Sequence, residues 1–101
     1  MLTTHPRTLL VVICEAAIEQ PLIEDLMRLG AQGYTIADAR GRGRGGARDG
    51  SWEADRSIEL KVVCDSGLAD RLAAHVLEHY APHYAVTLYL HPVAVVRAEK
   101  F

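Results

Sequence analysis

The residues best suited to bind a ligand stand close together between positions 40 and 50, where arginine alternates with glycine. The arginines are Arg40, Arg42, Arg44 and Arg48, and glycine fills most of the positions between them. Guanidinium groups donate paired hydrogen bonds to phosphate or carboxylate, and glycine lets the backbone approach such a ligand closely. The segment therefore predicts an anion-binding loop. The alternative interpretation is a flexible linker of the same composition.

Arginine–glycine segments also contact RNA, so an RNA-binding or anion-binding ferredoxin-like domain is a further interpretation of this loop. Such domains stack bases on aromatic side chains of their middle strands. The predicted third strand, residues 58–64, contains no aromatic residue, and the only phenylalanine is Phe101. The net charge of -2 gives no overall attraction to nucleic acid. We therefore expect no nucleic-acid partner.

Three histidines, His75, His79 and His83, raise the question of a metal site. The first two share one helix face at the spacing i, i+4, as many metal-binding pairs do. No carboxylate or cysteine completes a ligand set in the sequence pattern, so we predict no metal site. A trimeric protein of the metal-tolerance type, using these histidines, is the alternative. Ser51 has no recognisable base beside it, so we predict no catalytic residues and no enzyme.

Apolar periodicity divides the chain into four strands and two helices. A continuous apolar run predicts a central strand at residues 9–14. Shorter apolar or alternating segments predict three further strands, at residues 34–40, 58–64 and 86–90. Helical spacing predicts two helices, at residues 21–30 and 68–80. Pro92 is expected to break the last strand before pairing resumes at residues 93–96.

The order of these elements is β-α-β-loop-β-α-β. It predicts a ferredoxin-like α+β fold (βαββαβ), with two helices on one face of an antiparallel sheet. We expect residues 1–101 to form one domain with a flexible loop at about 41–56, since 101 residues build one core. The other face of the sheet is partly apolar, so we expect a partner subunit or a ligand to cover it. The residues that make it so are Val63, Ala85, Thr87 and Tyr89.

Both cysteines, Cys14 and Cys64, lie in apolar strand-like runs and are predicted to be core residues. We expect no signal peptide, and the sequence contains no apolar stretch of about 18 residues. We therefore expect a cytoplasmic protein with reduced thiols that does not insert into a membrane.

Residues 33–44 read Gly-Tyr-Thr-Ile-Ala-Asp-Ala-Arg-Gly-Arg-Gly-Arg. This stretch resembles the second strand and the start of the loop in PII signal-transduction proteins, which typically read Gly-Met-Thr-Val-Thr-Glu-Val-Lys-Gly-Phe-Gly-Arg. Nearly the whole chain has the same order of strands and long loop as these proteins, and its last strand likewise ends in valines and a basic residue. PII proteins are trimers that bind adenine nucleotides between subunits and present the long loop, the T-loop, to a target protein.

The resemblance implies a homotrimer that binds ADP or AMP in clefts between subunits. The residues that it places along such a cleft are Thr35, Gly41, Gly43, Arg44, Val63 and Arg97. A second C-terminal arginine is expected where this chain has Glu99, and the adjacent Lys100 is expected to substitute for it. The resemblance also implies a binding protein that acts by changing the state of its loop and catalyses no reaction.

Three departures from the family pattern point to one branch of the family. Gly45 stands where a glutamine usually holds magnesium and 2-oxoglutarate in the family. No tyrosine lies between Gly41 and Ile58. The loop that clamps the outer phosphates in the family is shortened here to residues 81–84. These changes resemble the PII-like branch associated with carboxysomes and bicarbonate transport. Bicarbonate is then an expected second ligand, and a bicarbonate transporter or a carboxysome component the expected target. The residues that we assign to bicarbonate or to ordering of the loop are Arg42, Gly45, Gly46, Ser51 and Trp52.

Overall fold

The computed structural model describes residues 1–43, 46–48 and 56–101, and within them the chain folds into six strands and two α-helices. In chain order these are β1 (His5–Glu15), α1 (Glu19–Arg28), β2 (Thr35–Ala39), β3 (Gly41–Gly43), β4 (Gly46–Arg48), β5 (Ser57–Cys64), α2 (Ser66–His79) and β6 (Thr87–Val95). Single 3-10 turns follow β1 at Ala16–Ile18 and β6 at Ala98–Lys100.

The long apolar strand β1 lies inside the main sheet, whose strand order is β2-β5-β1-β6 with antiparallel neighbours. It pairs with β5 along residues 8–15 and with β6 along residues 5–13, so it is hydrogen-bonded on both sides. β2 and β6 are the two edges. The predicted ferredoxin-like arrangement, with a central first strand, is confirmed.

The ends of the helices follow from local sequence. Asp65 is the N-cap of α2, and its carboxylate accepts a hydrogen bond of 2.8 Å from the backbone N–H of Leu68. Gly30 ends α1 with a φ of 125°, a conformation that glycine adopts without the steric cost of a side chain. The N–H of Ala31 then bonds back to the carbonyl of Leu26 at 3.0 Å. Among the described residues, neither helix has the length and apolar character needed to cross a membrane.

The core lies between the helices and the even-numbered side chains of β1 and β5. Its fully buried members include Leu10, Val12, Leu22, Leu26, Ile58, Leu60, Leu72 and Val76. Cys14 and Cys64 lie in the same core, as predicted, and burial raises the pKa of the Cys64 thiol. Such a thiol stays neutral and acts as a small apolar group.

The face of the sheet opposite the helices, called the open face below, is formed by the odd-numbered residues of the four strands. Val11 lies on it between Lys61 and Tyr89 and is only 1% exposed, although Tyr89 is 50% exposed. Val63 and Thr87 share this face. The open face is therefore partly apolar, as the sequence predicted, and leaves the ring of Tyr89 half exposed.

One local prediction was wrong. Pro92 does not break the last strand, since β6 continues to Val95 and Pro92 lies opposite Thr8. An edge strand tolerates a residue without an N–H, because one side of its ladder is unpaired. At the start of the predicted flexible loop, β3 and β4 pair with each other in antiparallel register, which the sequence did not predict. These glycine-rich strands carry no alternation of apolar and polar side chains that would predict them.

Candidate functional site

One end of the open face forms a cleft of about 310 Å³. Its walls come from the start of β2, the end of β5, β1 and the C-terminal turn. The apolar lining is Leu9, Tyr34, Val63 and Phe101, and the remainder is Gln32, Gly33, Thr35, Lys61 and Lys100. The volume lies near the lower limit of the ~300–1,000 Å³ typical of small-molecule sites. Apolar walls with a few convergent polar groups suit a flat ring that carries polar substituents.

Strand register builds the floor of this cleft. Thr35 lies opposite Lys61 in the β2–β5 pair, and Val63 lies opposite Leu9 in the β5–β1 pair. All four are odd-numbered residues, so their side chains share the open face. Two predicted site residues, Thr35 and Val63, are thus brought together on neighbouring strands.

The C-terminal turn closes the cleft from the side. The 3-10 turn Ala98–Lys100 carries Lys100 and Phe101 into the lining, so the predicted residue Lys100 joins Thr35 and Val63. Arg97 does not line the cavity. Its Nε donates to a carboxylate oxygen of Glu99 at 3.2 Å, and both side chains are about two-thirds exposed. The guanidinium is therefore held by an exposed neighbour that a stronger anionic ligand would displace.

The other predicted residues lie at the opposite end of β2. Gly41 and Gly43 belong to β3, where Gly43 lies opposite Gly46, and Arg42 is exposed. From Thr35 to Ala39 the strand advances by four steps of ~3.3 Å, or about 13 Å, before these residues begin. The cleft residues and the residues of β3 therefore lie too far apart in a single chain to contact the same small ligand. The predictions for Arg44, Gly45, Ser51 and Trp52 fall outside the described residues.

Two polar contacts fix the chain at the base of this loop. Arg56 donates to a carboxylate oxygen of Asp38 at 3.2 Å and links the end of β2 to the start of β5. On the open face, Glu15 accepts a hydrogen bond of 3.0 Å from the backbone N–H of Ala85. The loop ends and the segment before β6 are thus tied to the sheet at the same end.

The histidines belong to a polar cluster between the helices. Asp25 Oδ2 lies 2.9 Å from His75 Nε2 and accepts a 2.6 Å hydrogen bond from the hydroxyl of Tyr80. Its Oδ1 accepts from Arg28 at 2.9 Å. The Tyr80 hydrogen bond, followed by those of His75 and Arg28, lowers the pKa of Asp25 from 3.8 to about 2, although burial opposes this.

The same contacts define what this cluster can do. Burial, and then the carboxylate of Asp25, raise the pKa of Tyr80 well above its usual value of 10, so the phenol remains a donor. The ring of His79 packs against that of His75 in a tilted arrangement, with centroids 4.3 Å apart. Across the described ranges, no group of three or more His, Cys, Asp or Glu side chains is arranged to hold a metal ion. The cluster instead joins α1 to the end of α2.

Sequence reasoning missed several cleft residues, of which Lys61 is the most informative. The alternation in β5 placed Lys61 and Val63 on one face, which was the available signal. The pairing of Lys61 with Thr35 depends on register between strands that are distant in sequence. Gln32 and Phe101 enter the cleft from segments outside the main strands, where no periodicity points to them. Tyr34 began the predicted strand 34–40 and lies just before β2.

Comparison with known proteins agrees with this fold. The family model of nitrogen regulatory protein P-II matches residues 7–100. No curated protein matches the chain. Among solved structures, a PII-like signalling protein from Thermus thermophilus is 39% identical, with 99% of each chain covered and a TM-score of 0.85.

A second solved structure is that of CPII, a nitrogen regulatory PII-like protein from Thiomonas intermedia, bound to ADP, AMP and bicarbonate. It is 25% identical, covers 100% of this chain and 98% of its own, and has a TM-score of 0.87. Another structure of CPII, bound to ADP and bicarbonate, has a TM-score of 0.88 at 24% identity and covers 100% and 99% of the two chains. The family model and the 39% identical structure each span almost the whole chain, and the chain therefore belongs to the nitrogen regulatory protein P-II family.

Proposed function

We propose that this chain is a cytoplasmic, single-domain regulator that binds ADP or AMP between the subunits of a homotrimer and catalyses no reaction. The observation that carries the proposal is the cleft that unites Thr35, Val63 and Lys100. Val63 and the adjoining Leu9 offer apolar surface for a base, the Thr35 hydroxyl offers a donor and an acceptor, and Lys100 offers a charge for phosphate.

The trimer is supported by the separation of the two groups of predicted residues. The cleft residues lie at one end of β2, and Gly41 and Gly43 lie beyond its other end. In a closed ring, the cleft of one subunit faces the loop of the next, so each ligand contacts both groups. The partly apolar open face, with Tyr89 half exposed, offers the surface that such an assembly buries.

We further propose that bicarbonate is a second ligand and that the loop at residues 42–55 passes the signal to a target in inorganic carbon metabolism. The target that we propose is a bicarbonate transporter or a carboxysome component. The binding of ADP, AMP and bicarbonate by CPII supports this choice of ligands. The arginines of the loop support an anion as the second ligand, because guanidinium groups pair with carboxylate-like anions.

Calorimetric titration with ADP, combined with light scattering, tests the proposal. We expect a trimer mass and ADP binding in the micromolar range, with Thr35→Val about fivefold weaker because one neutral hydrogen bond is worth about 1 kcal/mol. Titrations with a single-stranded oligonucleotide and with Zn²⁺ test the RNA-binding and metal-tolerance alternatives. A monomer that releases no heat with millimolar ADP would contradict both the trimer and the ligand.

A further inference from the structure

A lysine that the sequence analysis did not select stands in the cleft beside Thr35. Lys61 lies opposite Thr35 in the register of β2 and β5, and both residues line the cavity. The Lys61 ammonium nitrogen lies 3.1 Å from a carboxylate oxygen of Glu59, two residues earlier on the same strand. We propose that Lys61 is a ligand-binding residue of the cleft and that Glu59 competes with the ligand for its ammonium group. This inference rests on the nucleotide function proposed above.

The position of the ion pair permits this exchange of partners. The cavity lining includes Lys61 and stops short of Glu59, so a residue of the cleft has its ammonium group paired with a carboxylate outside the cleft. The Lys61 side chain is 47% exposed and that of Glu59 is 28% exposed. A four-carbon stem with free rotation carries the charge between two such positions without movement of the backbone. An exposed ion pair of this kind is weak, so a ligand breaks it at little cost.

The chemistry of the cleft indicates which ligand groups Lys61 meets. An ammonium group only donates hydrogen bonds, whereas the neighbouring Thr35 hydroxyl both donates and accepts. Lys61 therefore selects an acceptor of the nucleotide, which is a ring nitrogen, a ribose oxygen or a phosphate oxygen. Together with Lys100 it gives the cleft two cationic side chains among apolar walls. This arrangement favours a nucleotide over an uncharged aromatic compound of the same size.

A double-mutant cycle on the Kd for ADP tests the proposal with Lys61→Met, Glu59→Gln and both together. Loss of a charge-assisted hydrogen bond predicts that Lys61→Met weakens ADP binding about tenfold. Removal of the competing carboxylate predicts that Glu59→Gln strengthens binding by about two- to fivefold. In the Lys61→Met background, Glu59→Gln is expected to have no further effect. If Glu59 weakened ADP binding only by its charge near an anionic ligand, Glu59→Gln would strengthen binding in the Lys61→Met background as well. That result would overturn the proposed competition for Lys61.

Arg28→Met serves as the matched control, because it removes an exposed ion pair on α1, away from the open face. Its ADP affinity should equal that of the unmodified chain. If the unmodified chain binds ADP and Lys61→Met binds as Arg28→Met does, the inference is overturned and the nucleotide function stands. If the unmodified chain does not bind ADP, the proposed function fails and this inference with it. If light scattering shows that Lys61→Met alters assembly, the test rests on Glu59→Gln alone. In that case an ADP affinity of Glu59→Gln equal to that of the unmodified chain overturns the proposal.

Discussion

Tyr80 donates a hydrogen bond of 2.6 Å to Asp25 and thereby joins the end of α2 to the middle of α1. The contact also fixes the chain that follows α2, since the carbonyl of Tyr80 accepts hydrogen bonds of 3.0 Å from the N–H groups of His83 and Tyr84. A few residues later, Ala85 is tied to Glu15 at the loop end of the open face. One side-chain pair therefore orients the segment that leads from the second helix into β6.

The first prediction is that Tyr80→Phe destabilises the protein by about 2 kcal/mol without changing its fold. Tyr80 is 8% exposed, and its hydroxyl donates a hydrogen bond to the charged carboxylate of Asp25. Removal of the hydroxyl deprives this carboxylate of its shortest hydrogen bond. Urea denaturation at fixed protein concentration measures the change. Tyr84→Phe is the matched control, because Tyr84 is 40% exposed. Equal stability of both variants would contradict a structural role for the Tyr80–Asp25 bond.

The second prediction concerns acid stability. The pKa of Asp25 is about 2 in the folded chain, whereas the ordinary pKa of an aspartate, expected in the unfolded chain, is 3.8. The folded state therefore favours the ionised carboxylate. A carboxylate whose pKa is lower in the folded chain than in the unfolded chain stabilises the fold. This stabilisation is complete when the pH lies above the pKa of the unfolded chain, and it is lost as the pH falls through the pKa of the folded chain. The stability difference between the unmodified chain and Asp25→Asn should therefore shrink as the pH falls from about 4 to about 2. Urea midpoints at several pH values measure it, and a difference that stays constant over the whole range would refute the assignment.

The sequence predicted the fold well because every main element has a strong local pattern. The apolar run in β1 and the alternation in β5 identified a central strand and the open face, including Val63. The Asp25–His75 contact joins residues 50 positions apart and has no local signal. The position of Lys61 beside Thr35 likewise depends on pairing between distant strands. Side-chain partners across elements are fixed by packing of the whole chain, which explains why the site was only partly predicted.

The third prediction compares the two basic residues of the C-terminal turn. Arg97→Ala and Lys100→Met should each weaken ADP binding by about 1.5–3 kcal/mol, the range of a lost charge-assisted phosphate contact. Lys100 already lines the cleft, whereas Arg97 must leave Glu99 to reach a ligand. Adenosine, which lacks phosphate, should lose less affinity in both variants. Calorimetry with ADP and adenosine measures the difference. A folded trimer of Arg97→Ala with unchanged ADP affinity would show that the phosphates lie elsewhere.

The fourth prediction is that nucleotide and bicarbonate change each other's affinity by the same factor and that Trp52 reports both. Trp52 is the only tryptophan, and it belongs to the loop that we propose as the signalling element. If bicarbonate binds the arginines at the start of this loop, both ligands act on one segment, and linkage then requires reciprocal coupling. Calorimetric titration of ADP with and without bicarbonate, and of bicarbonate with and without ADP, gives the two factors. Trp52 emission followed through the same titrations should saturate at the same ligand concentrations. Constant emission while both ligands bind would remove the loop from the mechanism and leave the nucleotide site intact.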